Sequence, residues 1–112
     1  MKKLEIIVRP EKISVLKMIF HDYNVGGVMI TKISGYGNQG GKEYTYKGIR
    51  YFDNMLNKTK AEVVVTDDVA EQLIERILED IPTGQQGDGK IFVYDVKSVV
   101  RIRTGERDEK AL

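Results

Sequence analysis

Twice along this chain a short β-favouring run gives way to an apolar stripe at helical spacing, and that repeated order limits the fold more than any single motif. In residues 3–9, Leu4, Ile6 and Val8 fall on one side of an extended chain with Ile7 opposite, and Pro10 then pre-sets the first turn of a helix. Over residues 11–23, Ile13, Leu16, Ile19, Phe20 and Tyr23 recur at threes and fours, and "NVGG" at 24–27 supplies the stop. Residues 28–36 read as a second strand, and residues 61–66, with the branched triplet Val63, Val64 and Val65, as a third. Asp67 or Asp68 is placed to cap a second helix, whose Val69, Leu73, Ile74, Ile77, Leu78 and Ile81 line one face ahead of Pro82 and Gly84. Residues 91–96 read as the fourth strand.

The order β-α-β-β-α-β predicts an α+β, ferredoxin-like sandwich in which two helices cover one face of a four-stranded antiparallel sheet. The other face is left without a cover, although the runs "AEVVV" and "KIFVYDV" carry apolar residues on both sides. Packing against further copies of the chain is the expected solution. Burying a few hundred Å2 of such surface is worth on the order of 10 kcal/mol before association costs. A length of 112 residues fits one domain, 1–112, and a formal charge of +1 excludes bulk electrostatic attraction to nucleic acid or to an anionic membrane. The chain has no cysteine, so no disulfide framework or thiolate metal cage is available, and no apolar run approaches bilayer length. It reads as soluble and cytoplasmic.

Two segments do not fit a minimal sandwich. Residues 35–60 are too long for a hairpin turn; they hold five glycines and four of the six tyrosines, a composition suited to a mobile contact element. The stretch "TGQQGDGKIFVYDV" places Gly84, Gly87 and Gly89 ahead of a strand, where main-chain N–H groups can converge on an anion, and Lys90 adds a charged donor. Arg101 and Arg103 alternate in "VVRIRTG", which puts both guanidinium groups on one face of an extended chain, and Lys58 is a fourth cation. A polyphosphate site is one reading of this set. Spacing alone leaves equally open an ordinary turn with arginines paired to surface acids. Neither a GxxxxGK[ST] loop nor a GxGxxG fingerprint is present. His21, the single histidine, reads as a charge at a helix C-terminus, Met18, Met29 and Met55 as core and loop fillers, and "ERDEKAL" as a solvated tail.

At "TGQQGDGKIFVYDV" and "RIRTGE" the chain closely resembles the C-terminal signature of the PII nitrogen-regulatory signal proteins, and "YKGIRYF" resembles the tip of that family's long T-loop. The resemblance covers the whole chain. It implies a non-enzymatic homotrimer that binds ATP or ADP between subunits, with 2-oxoglutarate beside Mg-ATP. The T-loop, about 37–55 here, would then control an ammonium transporter or nitrogen-assimilation enzymes and their regulators. Position by position, the resemblance assigns Gly35, Gly37, Asn38 and Gln39 to the T-loop base, Gln39 also to Mg and 2-oxoglutarate, and Lys58 and Gly87 to 2-oxoglutarate. It assigns Gly87, Asp88, Gly89 and Lys90 to the phosphate-binding B-loop, about 82–90, and Arg101 and Arg103, in the C-terminal segment of about 99–112, to phosphates across the subunit boundary. Val64 falls to the adenine pocket. Tyr51 stands where many relatives are uridylylated, and Tyr46 matches a second T-loop tyrosine.

The chain departs from the family pattern at Asn38, where an arginine is usual, at positions 40–42, at Arg50 in place of an acid, and at Asn57 in place of a proline. These departures leave room for a PII-like or nitrogenase-associated sensor with another effector. A small acylphosphatase-like enzyme is the rival from another class; "VRPEK" supplies the arginine such chemistry needs, but no asparagine beside it.

Overall fold

A computed structural model describes residues 1–35, 42–53 and 56–112. Four strands, β1 (Lys2–Val8), β2 (Met29–Gly35), β5 (Leu56–Val65) and β6 (Lys90–Asp95), form an antiparallel sheet in the order β2-β5-β1-β6. Helices α1 (Ile13–Asp22) and α2 (Asp67–Asp80) complete the expected β-α-β-β-α-β sandwich. The remaining strands, β3 (Lys42–Tyr46) and β4 (Ile49–Asp53), pair with each other as a separate two-stranded ribbon.

The core follows the two sequence periodicities. Leu4, Ile6 and Val8 of β1 lie opposite Val63, Ala61 and Thr59 of β5, and all six are buried. Against them pack Leu16, Ile19 and Phe20 from α1 and Ala70, Leu73 and Ile77 from α2. Of the α2 stripe only Leu78 departs from expectation: it is 63% exposed, because it stands over a shallow groove beside the edge strand β6 with Pro82 and Ile91. Met18 and Met29 are also exposed, so neither is a core filler.

Local corrections have local causes. The first helix opens as a 3-10 turn over Pro10–Lys12 before becoming α-helical, and it stops where Asn24 and Gly27 take positive φ values of 55° and 64°. Thr66, extended at φ −66° and ψ 160°, is the N-cap residue of α2 in place of either aspartate. Asp67 instead lies in the first turn and pairs with the Met1 amino group at 2.9 Å. The third expected strand is longer than 61–66, beginning at Leu56, so the insertion is shorter than 35–60 and contains a ribbon. Its tip is the pair Lys47 and Gly48, both with positive φ, as a two-residue hairpin turn with the twist of its strands requires. The tail is likewise not free: Val100 bridges Arg107, and a 3-10 turn spans Asp108–Ala111.

The uncovered sheet face is mixed. Met29 and Ile33 of β2, Val64 of β5, Ile7 of β1 and Phe92 and Tyr94 of β6 share it with Lys3, Glu5, Lys60 and Glu62. Lys3 lies 3.2 Å from Glu62 and 5.4 Å from the Tyr94 ring centre. Since Leu73 is fully enclosed between α2 and the sheet, Leu73→Ala is expected to lower the unfolding free energy in denaturant titration by about 2–5 kcal/mol.

Candidate functional site

The turn between α2 and β6 is held from within. Gly84, Gly87 and Gly89 have φ values of 85°, 92° and 106°, a region that L side chains rarely adopt. Gly89 is further constrained, since a Cβ there would lie 1.7 Å from the Ile7 carbonyl oxygen. Inside the turn sits the Asp88 carboxylate. It accepts the Thr83 and Gly84 main-chain N–H groups at 2.9 and 3.0 Å on one oxygen. On the other it accepts the Thr83 hydroxyl at 2.5 Å and Arg9 Nε at 3.2 Å. Arg9 Nη2 also donates to the Gln86 carbonyl at 2.6 Å. The Thr83 hydroxyl foremost, then Arg9 and the Gly84 and Thr83 amides, hold the Asp88 carboxyl at about 2, below the ordinary 3.8. Asp88 therefore organises the turn, and its carboxylate is engaged within it rather than turned to an anionic ligand.

Around the turn the sheet register gathers part of the expected set. The Lys58 ammonium donates to the Gly87 carbonyl, so the start of β5 touches the glycine turn. Lys90 opens β6 on the uncovered face opposite Ile7. Gly35, opposite Leu56, lies two residues beyond the Ile33–Lys58 pair. Val64 is elsewhere: it lies opposite Lys3, four positions along β1 from Ile7, roughly 13 Å at about 3.3 Å per residue.

Arg101 and Arg103 do not share one face of an extended chain. The Gly105 N–H donates to the Arg101 carbonyl at 2.8 Å and turns the chain back, because Gly105 has φ 72°. Arg101 Nη1 pairs with Glu106 at 2.9 Å and Nη2 donates to the Leu112 carbonyl at 3.4 Å, whereas Arg103 is exposed. Gly37, Asn38 and Gln39 lie outside the described residues, as does the Tyr51 side chain; the Tyr51 backbone pairs with Tyr44, and Tyr46 is exposed. His21 lies exposed in the last turn of α1.

The family model described as nitrogen regulatory protein P-II matches residues 1–106. The chain belongs to the P-II family. Over 112 residues, the full length of both chains, it is 46% identical to the nitrogen regulatory protein P-II of Pasteurella multocida. Over the same full length it is 44% identical to that of Haemophilus influenzae and 39% to nitrogen regulatory protein P-II 1 of Escherichia coli K12. These P-II relatives are named as regulators rather than by a reaction. The P-II fold agrees with the sandwich, and no described helix is long and apolar enough to cross a membrane.

Sequence reading of this P-II chain missed Thr83 and placed Arg9 only in the acylphosphatase alternative, not at this turn. Arg9 reads as the end of a strand, and its partner is 79 positions away. The "TG" ahead of the glycine turn was the available clue to Thr83. Because the Asp88 carboxyl has a lower value folded than unfolded, its stabilising effect is present above the ordinary 3.8 and is lost as pH falls through about 2. Thermal unfolding from pH 6 to pH 2 is expected to show Asp88→Asn less stable than wild type at pH 6, with the gap closing at the acid end. Parallel curves across the range would contradict the assignment.

Proposed function

We propose that this chain is a non-enzymatic, homotrimeric sensor that binds ATP or ADP at clefts between subunits and 2-oxoglutarate beside the nucleotide. The observation that carries the reading is the Lys58–Gly87 contact, which brings the base of the long insertion against the glycine turn at a sheet end that also bears Lys90. Positive φ at Gly87 and Gly89 is the backbone state from which successive N–H groups converge on an anion. Lys90 supplies a charged donor to the same phosphates.

The separation of the assigned residues into two groups supports a site shared with a second copy. Val64 lies well along the sheet from Lys90, and Arg101 and Arg103 sit in the C-terminal turn, so adenine and phosphate contacts from these residues come from a neighbouring chain. Ile102, between the two arginines, is fully exposed, and Phe92, Tyr94 and Met29 are 43–59% exposed on the uncovered sheet face. Such surface favours assembly. Phosphate binding draws Arg101 away from Glu106, an exchange of one charge-assisted pair for another.

Gln39 is the residue that would hold Mg, which would supply positive charge to offset the phosphate and 2-oxoglutarate carboxylate charges. Among the described residues no cluster of three acidic or histidine side chains offers a separate metal site. Lys58 pairs with a 2-oxoglutarate carboxylate and so leaves the Gly87 carbonyl, which couples effector binding to the loop's base. A coupling of about 1–3 kcal/mol suffices for a switch. The β3–β4 ribbon, with Tyr46, Ile49 and Arg50 exposed near its tip, is the output presented to an ammonium transporter or to nitrogen-metabolism enzymes and regulators. The protein works in the cytoplasm and reaches the membrane through such a transporter, and Tyr51 is a site for uridylylation. The acylphosphatase alternative loses its arginine, because Arg9 is bound to Asp88 and Gln86.

Calorimetry on the purified protein tests this reading. Lys58→Ala is expected to abolish 2-oxoglutarate binding while leaving ADP binding intact, and an unchanged 2-oxoglutarate titration would refute its role. Arg103→Ala is expected to weaken ATP binding about tenfold or more, as loss of a charge-assisted contact does. Retained affinity would count against the phosphate assignment.

A further inference from the structure

We infer that Arg9 is a positioning residue for the phosphate-binding turn, clamping it from outside through Asp88 and the Gln86 carbonyl. The inference rests on the nucleotide reading of that turn. Arg9 follows β1, and its backbone is extended at φ −61° and ψ 143° with Pro10 next in the chain, so its Cα is fixed on both sides. From there one guanidinium reaches two points of the turn, Asp88 through Nε and the Gln86 carbonyl through Nη2. The planar fork makes both contacts at once; a lysine ammonium in the same place has no such fixed spacing. The Arg9 and Asp88 side chains are 21% and 24% exposed, so the pair is shielded more than an ordinary surface ion pair.

The clamp closes a loop that is otherwise weakly determined. Between Pro82 and Lys90 the turn contains three positive-φ glycines, each with many alternative backbone states when unrestrained. Asp88 ties the turn's entry, at Thr83 and Gly84, to its exit. Gly89 is docked on the Ile7 carbonyl two residues before Arg9, and Arg9 holds Gln86 and Asp88 on either side of Gly87. Gly87 is thus fixed between two anchored neighbours, and its N–H is pre-set before an anion arrives. Without Arg9 a phosphate has to order the turn as it binds, which weakens affinity without removing any contact to the ligand.

The experiment compares wild type with Arg9→Ala, Arg9→Lys, Asp88→Asn and the Arg9→Ala/Asp88→Asn double variant by two readouts. In the ligand-free protein, amide hydrogen exchange is expected to accelerate about tenfold at residues 84–89 in Arg9→Ala, while amides of Leu4 and Ile6 keep wild-type protection. ATP titration is expected to show about tenfold weaker binding in Arg9→Ala, incomplete recovery in Arg9→Lys, and a loss in the double variant smaller than the two single losses combined. Unchanged loop exchange, or exchange that accelerates equally in the core, would overturn the clamp, as would full rescue by lysine or additive losses. Wild-type protein that binds no ATP while Arg9→Ala still loosens only the turn would uphold the clamp and refute the nucleotide reading.

Discussion

The approach of Gly89 to the Ile7 carbonyl ties the glycine turn to the sheet. Any side chain at Gly89 would collide with main chain, which has no flexible end to move aside. From that contact the rest follows in order: β6 takes its register beside β1, Lys90 falls on the uncovered face, and Asp88 is directed back into the turn, where four donors converge on it. A carboxylate so fully satisfied acts as scaffold. Beside it, Lys58 donates to the Gly87 carbonyl and Lys90 opens β6 on the uncovered face.

The same sheet is closed on one face and open on the other. Its helical face is closed by Leu16, Ile19, Leu73 and Ile77, while the opposite face keeps Met29, Phe92 and Tyr94 open among paired charges. Lys3, Glu5, Lys60 and Glu62 fix which groups must meet across any contact made there, so that face combines apolar area with a charge pattern. The proposed cleft between copies would join the glycine turn of one chain to the C-terminal arginines of another. Under that proposal, a ligand bound there would stabilise the assembly by mass action.

Much of the sandwich was legible because one-sided burial imposes a period on the sequence. Alternation marked β1, and threes and fours marked α1 and most of α2. Leu78 obeys the period but not the burial, since the sheet ends at β6 beneath it and a period says nothing about where an edge falls. Arg101 and Arg103 were misplaced because alternation was read through a glycine: Gly105 reverses the chain and hands Arg101 to Glu106. The glycine turn was legible as a turn, whereas the role of Asp88 was not, because its partner Arg9 comes from the other end of the chain. The family resemblance located the candidate ligands, and the geometry divides them between those around the turn and those apart from it.

The central claim is that the anion site is shared between chains, and subunit mixing tests it most directly. Lys90→Ala and Arg103→Ala proteins, each weak in ATP binding alone, are combined by co-expression at equal ratio. A shared cleft predicts that about a quarter of clefts regain wild-type affinity, because these clefts take an intact turn from one chain and an intact arginine from its neighbour. A mixture that binds no better than its two parents would contradict it.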